Sequence, residues 1–283
     1  MTTPVFKPII QNLSDQPISK TIAALWYGPA GSGKTWASGT YGERTLFIDL
    51  EHGLTTLQSP KFQRLYPGNP LVIKINGQDA NAYDQLCDTI DFVFEDEATR
   101  NRFDVLVIDS VSALRVLTIR KGVEVAEDLK KSDTNAKYKK TGVLSPQVQD
   151  WGEEMNVMLQ FMGDVVEKSK IYEKHLIIIA HERHTYGKAP KIGEPQPLLN
   201  IRPGFTGKTF PNDITRIFDI VWYFTGAGKG DRRIYQALTA GDEIKVAKTR
   251  YNGIFKEEEQ NVNLRDIIKR IKEQAVVVED TSM

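Results

Sequence analysis

The stretch GPAGSGKT, Gly28 to Thr35, matches G-x-x-x-x-G-K-[ST] at every fixed position. Glycines at this spacing let the backbone turn its N–H groups toward phosphate oxygens. A helix starting there adds its positive end. Lys34 is then placed for the β- and γ-phosphates, and the Thr35 hydroxyl for Mg2+. The candidate nucleotide-binding residues are Gly28, Pro29, Ala30, Gly31, Ser32, Gly33, Lys34, Thr35 and the adjoining Trp36. ATP and Mg2+ are the expected cofactors. The metal needs a further acid. In VLVIDS, Asp109 follows four apolar residues. At the carboxyl end of a parallel strand it would stand beside the loop and hold Mg2+ through water, making Thr35 and Asp109 the candidate metal residues. The plainer reading of Asp109 is a cap for a helix from Ser110 onward.

Some P-loop motors place a water-activating glutamate directly after this aspartate, but here that residue is Ser110. LFIDLEHGL, Leu46 to Leu54, offers a carboxylate elsewhere. Glu51 follows an apolar run whose carboxyl end should open on the same sheet edge. A carboxylate there can orient the water that attacks the γ-phosphate. The plainer reading is an exposed turn acid, and Asp49 and His52 read as turn and capping residues.

These groups need a scaffold. Apolar runs at 21–27, 45–50, 71–75, 103–110 and 175–182 read as strands. Helices are expected from 34, over 79–99 and over 146–172. Within 79–99, Tyr83, Leu86, Ile90, Val93 and Phe94 share one helical face. Strands alternating with helices predict an α/β fold, a mostly parallel sheet with helices on both faces. IFDIVWYF, RRIYQAL and IKVAKTR read as further strands, extending the sheet in antiparallel fashion at its C-terminal side. A last helix over 263–275 and an acidic tail follow. Two long segments interrupt the pattern. Residues 118–147 are rich in lysine, and 183–211 in glycine and proline. Long irregular segments in a compact domain usually serve function or are disordered.

Composition narrows the function classes. The 37 basic and 37 acidic residues cancel, so any nucleic-acid contact must use local patches. The single cysteine, Cys87, excludes an internal disulfide and cysteine-rich zinc sites, and fits a reducing compartment. No signal peptide and no run of membrane-spanning length is evident, so a cytoplasmic protein without membrane contact is expected. With four histidines in the chain, His181 and neighbouring His184 lack the companions of a metal site. A GTPase is disfavoured because no N-K-x-D signal occurs.

GPAGSGKT, LFIDLEHGL and VLVIDSVSAL, in this order and spacing, resemble the RecA-like recombination ATPases. The resemblance covers roughly 20–256 and is closest to the short, core-only bacteriophage proteins that anneal single strands or exchange them. Residues 1–20, with prolines at 4, 8 and 17, read as an irregular arm; the resemblance implies an ATPase core over 21–256, and the C-terminal helix and tail occupy 257–283. It implies that Glu51 is the catalytic carboxylate and that His181, at the end of the fifth strand, senses the γ-phosphate, although many relatives have glutamine there. It implies that Lys248 and Arg250, two apart in KVAKTRYNG, complete a neighbour's site in a ring or filament. The two odd segments correspond to DNA-binding loops. The first holds Arg120, Lys121, Lys130, Lys131, Lys137, Lys139 and Lys140, diluted by acids. The second holds Tyr186, Lys188, Lys191, Arg202, Phe205, Lys208 and Phe210. Cations that follow a backbone and aromatics that stack on bases suit sequence-tolerant single-strand binding. Single-stranded DNA, further copies of the chain and a single-strand binding protein are the expected partners. A RecA-core helicase motor and a nucleotide-switched regulator or scaffold that acts on a protein remain alternatives.

Overall fold

The computed structural model describes residues 20–131, 150–189, 194–205, 213–227 and 233–280, with side chains omitted at 123, 125–131, 150, 151, 153 and 275–280. Among the described residues, ten strands form one sheet: β1 (Ala23–Gly28), β2 (Thr45–Asp49), β3 (Leu71–Lys74), β4 (Val105–Asp109), β5 (His175–Tyr186), β6 (Leu198–Pro203), β7 (Ile220–Ala227), β8 (Ile234–Leu238), β9 (Lys248–Thr249) and β10 (Glu258–Gln260). Their order is β10-β8-β7-β1-β5-β4-β2-β3, with β6 on β5 and β9 on β7. The run from β7 to β3 is parallel throughout. β8 pairs antiparallel with β7, and β10 with β8.

The C-terminal strands differ in part from the expectation. β7 joins β1 in parallel, and its antiparallel partners are β8 and β9. IKVAKTR yields just two strand residues, Lys248 and Thr249. β10 continues the sheet beyond residue 256.

Helices cover both faces, and the alternation along each strand dictates this. In β5, Leu176, Ile178 and Ala180 join one core with Leu86 and Ile90 of α3 (Ala82–Glu95), Leu114 of α5 (Val111–Lys131) and Met162 of α6 (Asp150–Ile171). Ile177 and Ile179 join the other. That core includes Ala37 of α1 (Lys34–Gly39), Phe62 of α2 (Pro60–Leu65) and Ile267 and Ile271 of α7 (Leu264–Asp280). The helix expected over 79–99 divides at Asp96, whose extended backbone ends α3. The Asp96 carboxylate accepts from Thr99 N at 2.8 Å, capping the short α4 (Glu97–Arg100). Among the described residues, no helix is long and apolar enough to cross a membrane.

β5 is the longest strand. Its first six residues are buried between β1 and β4, whereas its last four are exposed. From Glu182 onward it leaves the main sheet and pairs with β6 alone.

Candidate nucleotide site

β1 ends at Gly28, and the phosphate-type loop follows. Two glycines in it are required by close contact. A Cβ on Gly28 would overlap the Phe224 carbonyl oxygen, and one on Gly33 would overlap the Tyr235 ring. Gly33 also has φ 93°, which favours glycine. α1 starts at Lys34, whose ammonium is buried and donates to Gly28 O and Pro29 O at 2.9 Å and to Ser32 Oγ at 3.2 Å. Burial lowers its pKa to about 8, opposed by Asp109, Glu182 and Glu51.

Although β5 lies between β1 and β4, the start of α1 reaches across to Asp109. Thr35 Oγ1 donates to Asp109 Oδ2 at 2.7 Å. Asp109 is 7% exposed. Burial pushes its pKa up to about 6, against the Thr35 hydrogen bond and with help from Glu51 and Asp49.

Glu51 stands opposite. The Ser110 hydroxyl donates to its Oε1. His181 Nε2 lies 3.6 Å from its Oε2. The interaction with His181 is the main influence holding the Glu51 carboxyl below its usual range; burial opposes it, and Ser110 assists. Glu51 is therefore an ionised carboxylate held from two sides. Asp49 instead accepts from Gly53 N at 3.3 Å, as a turn residue does, and His52 takes a left-handed φ of 56°.

These groups line one open cleft of about 240 Å3. Ala30, Gly31, Gly33, Lys34, Thr35, Trp36, Glu51, Asp109 and His181 all border it. A phosphate-loop lysine, a hydroxyl–aspartate pair and an opposed, ionised glutamate meet at the carboxyl ends of β1, β4 and β2. A family model described as "AAA domain" matches residues 20–251. The chain belongs to the AAA domain family.

This AAA domain has the RecA-like P-loop NTPase fold, with the β5 strand inserted between the strands carrying the phosphate loop and Asp109. The family is one of nucleotide-binding ATPases. No curated protein matches the sequence. Similar solved structures include the KaiC-like protein PH0186 of Pyrococcus horikoshii OT3, at 15% identity over 77% of each chain with a TM-score of 0.36. The RadB recombinase matches at 13% identity over 84% of this chain and 86% of that one, TM-score 0.40. The flagellar accessory protein FlaH of Methanocaldococcus jannaschii matches at 11% identity over 86% and 87%, TM-score 0.38.

The residues of the AAA domain fit a nucleotide with Mg2+. Burial disfavours the charges on Lys34 and Asp109, so a phosphate beside one and a cation beside the other would stabilise them. Among the described residues, no cluster of three or more His, Cys, Asp or Glu could cage a metal. One hydroxyl and one carboxylate, leaving the other positions to phosphate and water, is a donor set suited to Mg2+.

The remaining sequence expectations divide. Residues 118–131 are helical, not a loop. Arg120 donates to Gly77 O, and Lys121 is paired with Asp84 and Glu124 at 3.1 Å, so both serve their own chain. Lys130 and Lys131 lie on α5; Lys137, Lys139 and Lys140 fall outside the described residues. The second segment is in part a β5–β6 pair, which carries Tyr186 and Arg202, with exposed Lys188 just beyond it. Phe205 is a correction. It is fully buried in the core, where it cannot stack on a base. Lys191, Lys208 and Phe210 lie outside the described residues. Lys248 and Arg250 do not line the cleft of their own chain. Arg250 instead donates to Asp219 Oδ1 at 2.8 Å and to Arg216 O at 3.0 Å.

Sequence reasoning missed Tyr235, Thr56 and the positioning role of Ser110. Tyr235 belongs to no motif and reaches the cleft through β7–β8 pairing. Ser110 had a signal, since it stands where an acid was sought.

Proposed function

We propose that this AAA domain is an ATP-dependent protein that binds single-stranded DNA and promotes annealing or strand exchange. In this reading the Lys34 ammonium takes phosphate oxygens in place of the Gly28 and Pro29 carbonyls. Thr35 and Asp109 would hold Mg2+, which supplies neutralisation of the triphosphate when bound. Glu51, kept ionised, accepts a hydrogen bond from water and orients its lone pair toward the terminal phosphate. His181 faces that same carboxylate, where a change at the phosphate would be felt. Lys248 and Arg250 are assigned to a neighbouring copy's nucleotide, where a guanidinium can neutralise developing charge.

One observation carries the DNA half of the reading. The His181 ring faces Glu51 at 3.6 Å, while its carbonyl accepts from Gly204 N at 2.8 Å, just after β6. The same residue thus touches the water-orienting carboxylate and the segment leaving the β5–β6 pair. Exposed Tyr186 and Lys188 at that pair supply a ring and a cation for a single strand.

The test is ATP hydrolysis by the purified protein with and without single-stranded DNA. Strong stimulation is expected, together with loss of turnover in Glu51→Gln at unchanged ATP binding. Hydrolysis indifferent to DNA would defeat the DNA reading. A second reading, a nucleotide-switched regulator or scaffold acting on a protein, gains support from Arg120 and Lys121, whose charges are engaged by their own chain. A helicase motor would instead reveal itself by unwinding a forked duplex.

A further inference from the structure

The sequence attached no role to β8, yet Arg233, just before it, and Tyr235, within it, face the phosphate loop. Both side chains approach glycines of that loop. The Arg233 guanidinium comes within 3.7 Å of where a Cβ on Gly31 would lie, and stands 5.9 Å from the Tyr235 ring centroid. Tyr235 lies against Gly33 and borders the cleft. Beyond it, 5.9 Å between centroids and tilted by 46°, is Trp36, also on the cleft. Trp36 is braced from behind by Phe62 at 4.9 Å and Tyr66 at 6.4 Å, both edge-on. The order along the loop is therefore cation beside Gly31, then tyrosine beside Gly33, then tryptophan after Thr35. A charged group flanks the phosphate end, and two half-buried rings flank what comes after it.

We propose that Tyr235 and Trp36 form an aromatic platform for the nucleobase, which selects purines by stacking area and separates adenine from guanine only weakly. The proposal rests on the nucleotide-site reading above and adds the base specificity of that site. Stacking rewards ring area and is indifferent to the pattern of donors and acceptors on a base edge. Strong discrimination between bases needs a buried polar group that one base satisfies and the other leaves unpaired. Apart from the phosphate-loop residues, Glu51, Asp109 and His181, the polar side-chain groups on the cleft among the described residues are the Thr56 and Tyr235 hydroxyls and the Trp36 indole N–H. Each hydroxyl both donates and accepts, so either can meet an amino or a carbonyl group, while the indole N–H lies in the plane of a ring assigned to stacking.

The decisive comparison sets ATP against inorganic tripolyphosphate, each with Mg2+, by titration calorimetry on the wild-type protein, Tyr235→Ala and Tyr235→Phe. Tyr235→Ala should weaken ATP about tenfold and leave tripolyphosphate within about twofold, while Tyr235→Phe stays near wild type. Equal losses for both ligands would mean that Tyr235 merely supports Gly33, and no loss would mean that the base lies elsewhere; either overturns the proposal. A competition series on the unaltered protein needs no variant to fold. ATP and GTP should agree within about threefold and both should bind several-fold tighter than CTP, since purines offer the larger stacking face. CTP binding as tightly as ATP would refute the platform. Failure of the underlying nucleotide reading looks different: Lys34→Ala would then bind tripolyphosphate as well as wild type does.

Discussion

The two halves of β5 share a backbone and little else. His175 to Ala180 is enclosed between β1 and β4, with neighbours on both faces of the sheet. From His181 to Tyr186 the strand is increasingly exposed, turns polar and, after its first residue, keeps only β6 beside it. A histidine opens each half. His175 is buried, and its Nδ1 accepts from Ile22 N at 3.3 Å. His181 faces Glu51 across the cleft. One element thus places the site with its first half and extends away from it with its second. The first half should answer to stability measurements, the second to turnover and DNA binding.

The largest effect should come from the buried half. Ile178 is fully buried, so Ile178→Ala should cost about 3 kcal/mol in urea denaturation. Turnover per folded molecule should change little, and a loss of turnover at full stability would break the division.

His175 gives the next effect. Burial, with help from Lys272 and Lys174 and against Asp104, depresses its pKa to about 3. The unfolded chain protonates near 6.5 and the folded one does not, so the folded state binds fewer protons. Stability is then complete above about pH 6.5 and falls as pH drops toward 3, by about 2 kcal/mol at pH 5. His175→Asn, which retains an acceptor, should flatten that acid limb in pH-dependent melting.

In the second half the readout changes. His181→Ala should lower ATP turnover about tenfold, remove the difference between rates with and without DNA, and shift stability by less than about 1 kcal/mol. Unaltered DNA stimulation would show that the link to Gly204 carries nothing. Smallest of the four, Tyr186→Ala should weaken single-strand binding about three- to tenfold in fluorescence anisotropy, with unstimulated hydrolysis unchanged.

The nucleotide cleft was largely legible in the sequence because its parts obey local rules. A glycine pattern, an apolar run ending in Asp109 and another ending two residues before Glu51 each mark a strand end, and parallel strands bring such ends to one edge. The basic segments were less legible for a physical reason. A lysine in a sequence does not declare its partner. Lys121 meets Asp84, which stands 37 residues away in the chain, and Arg120 meets a backbone carbonyl at Gly77. Phe205 misled in the same way, since an aromatic among glycines and lysines reads as a surface ring until tertiary packing buries it. Tyr235 was hidden because its approach to Gly33 depends on how β8 pairs with β7, which no short pattern encodes.

In the proposed assembly, the Arg250–Asp219 pair would bear on the rate of docking. Asp219 is 10% exposed and already accepts from Ala23 N, at the root of the strand that leads to the phosphate loop. If Arg250 were to swing toward a neighbouring copy's nucleotide, it would give up this 2.8 Å contact, leaving the carboxylate only the longer pairing with Lys170 at 3.9 Å. Docking would then carry an activation barrier beyond diffusion, and subunits would join more slowly than their charges alone dictate. Asp219→Asn would lower that barrier, so faster association at the same protein concentration is its expected signature.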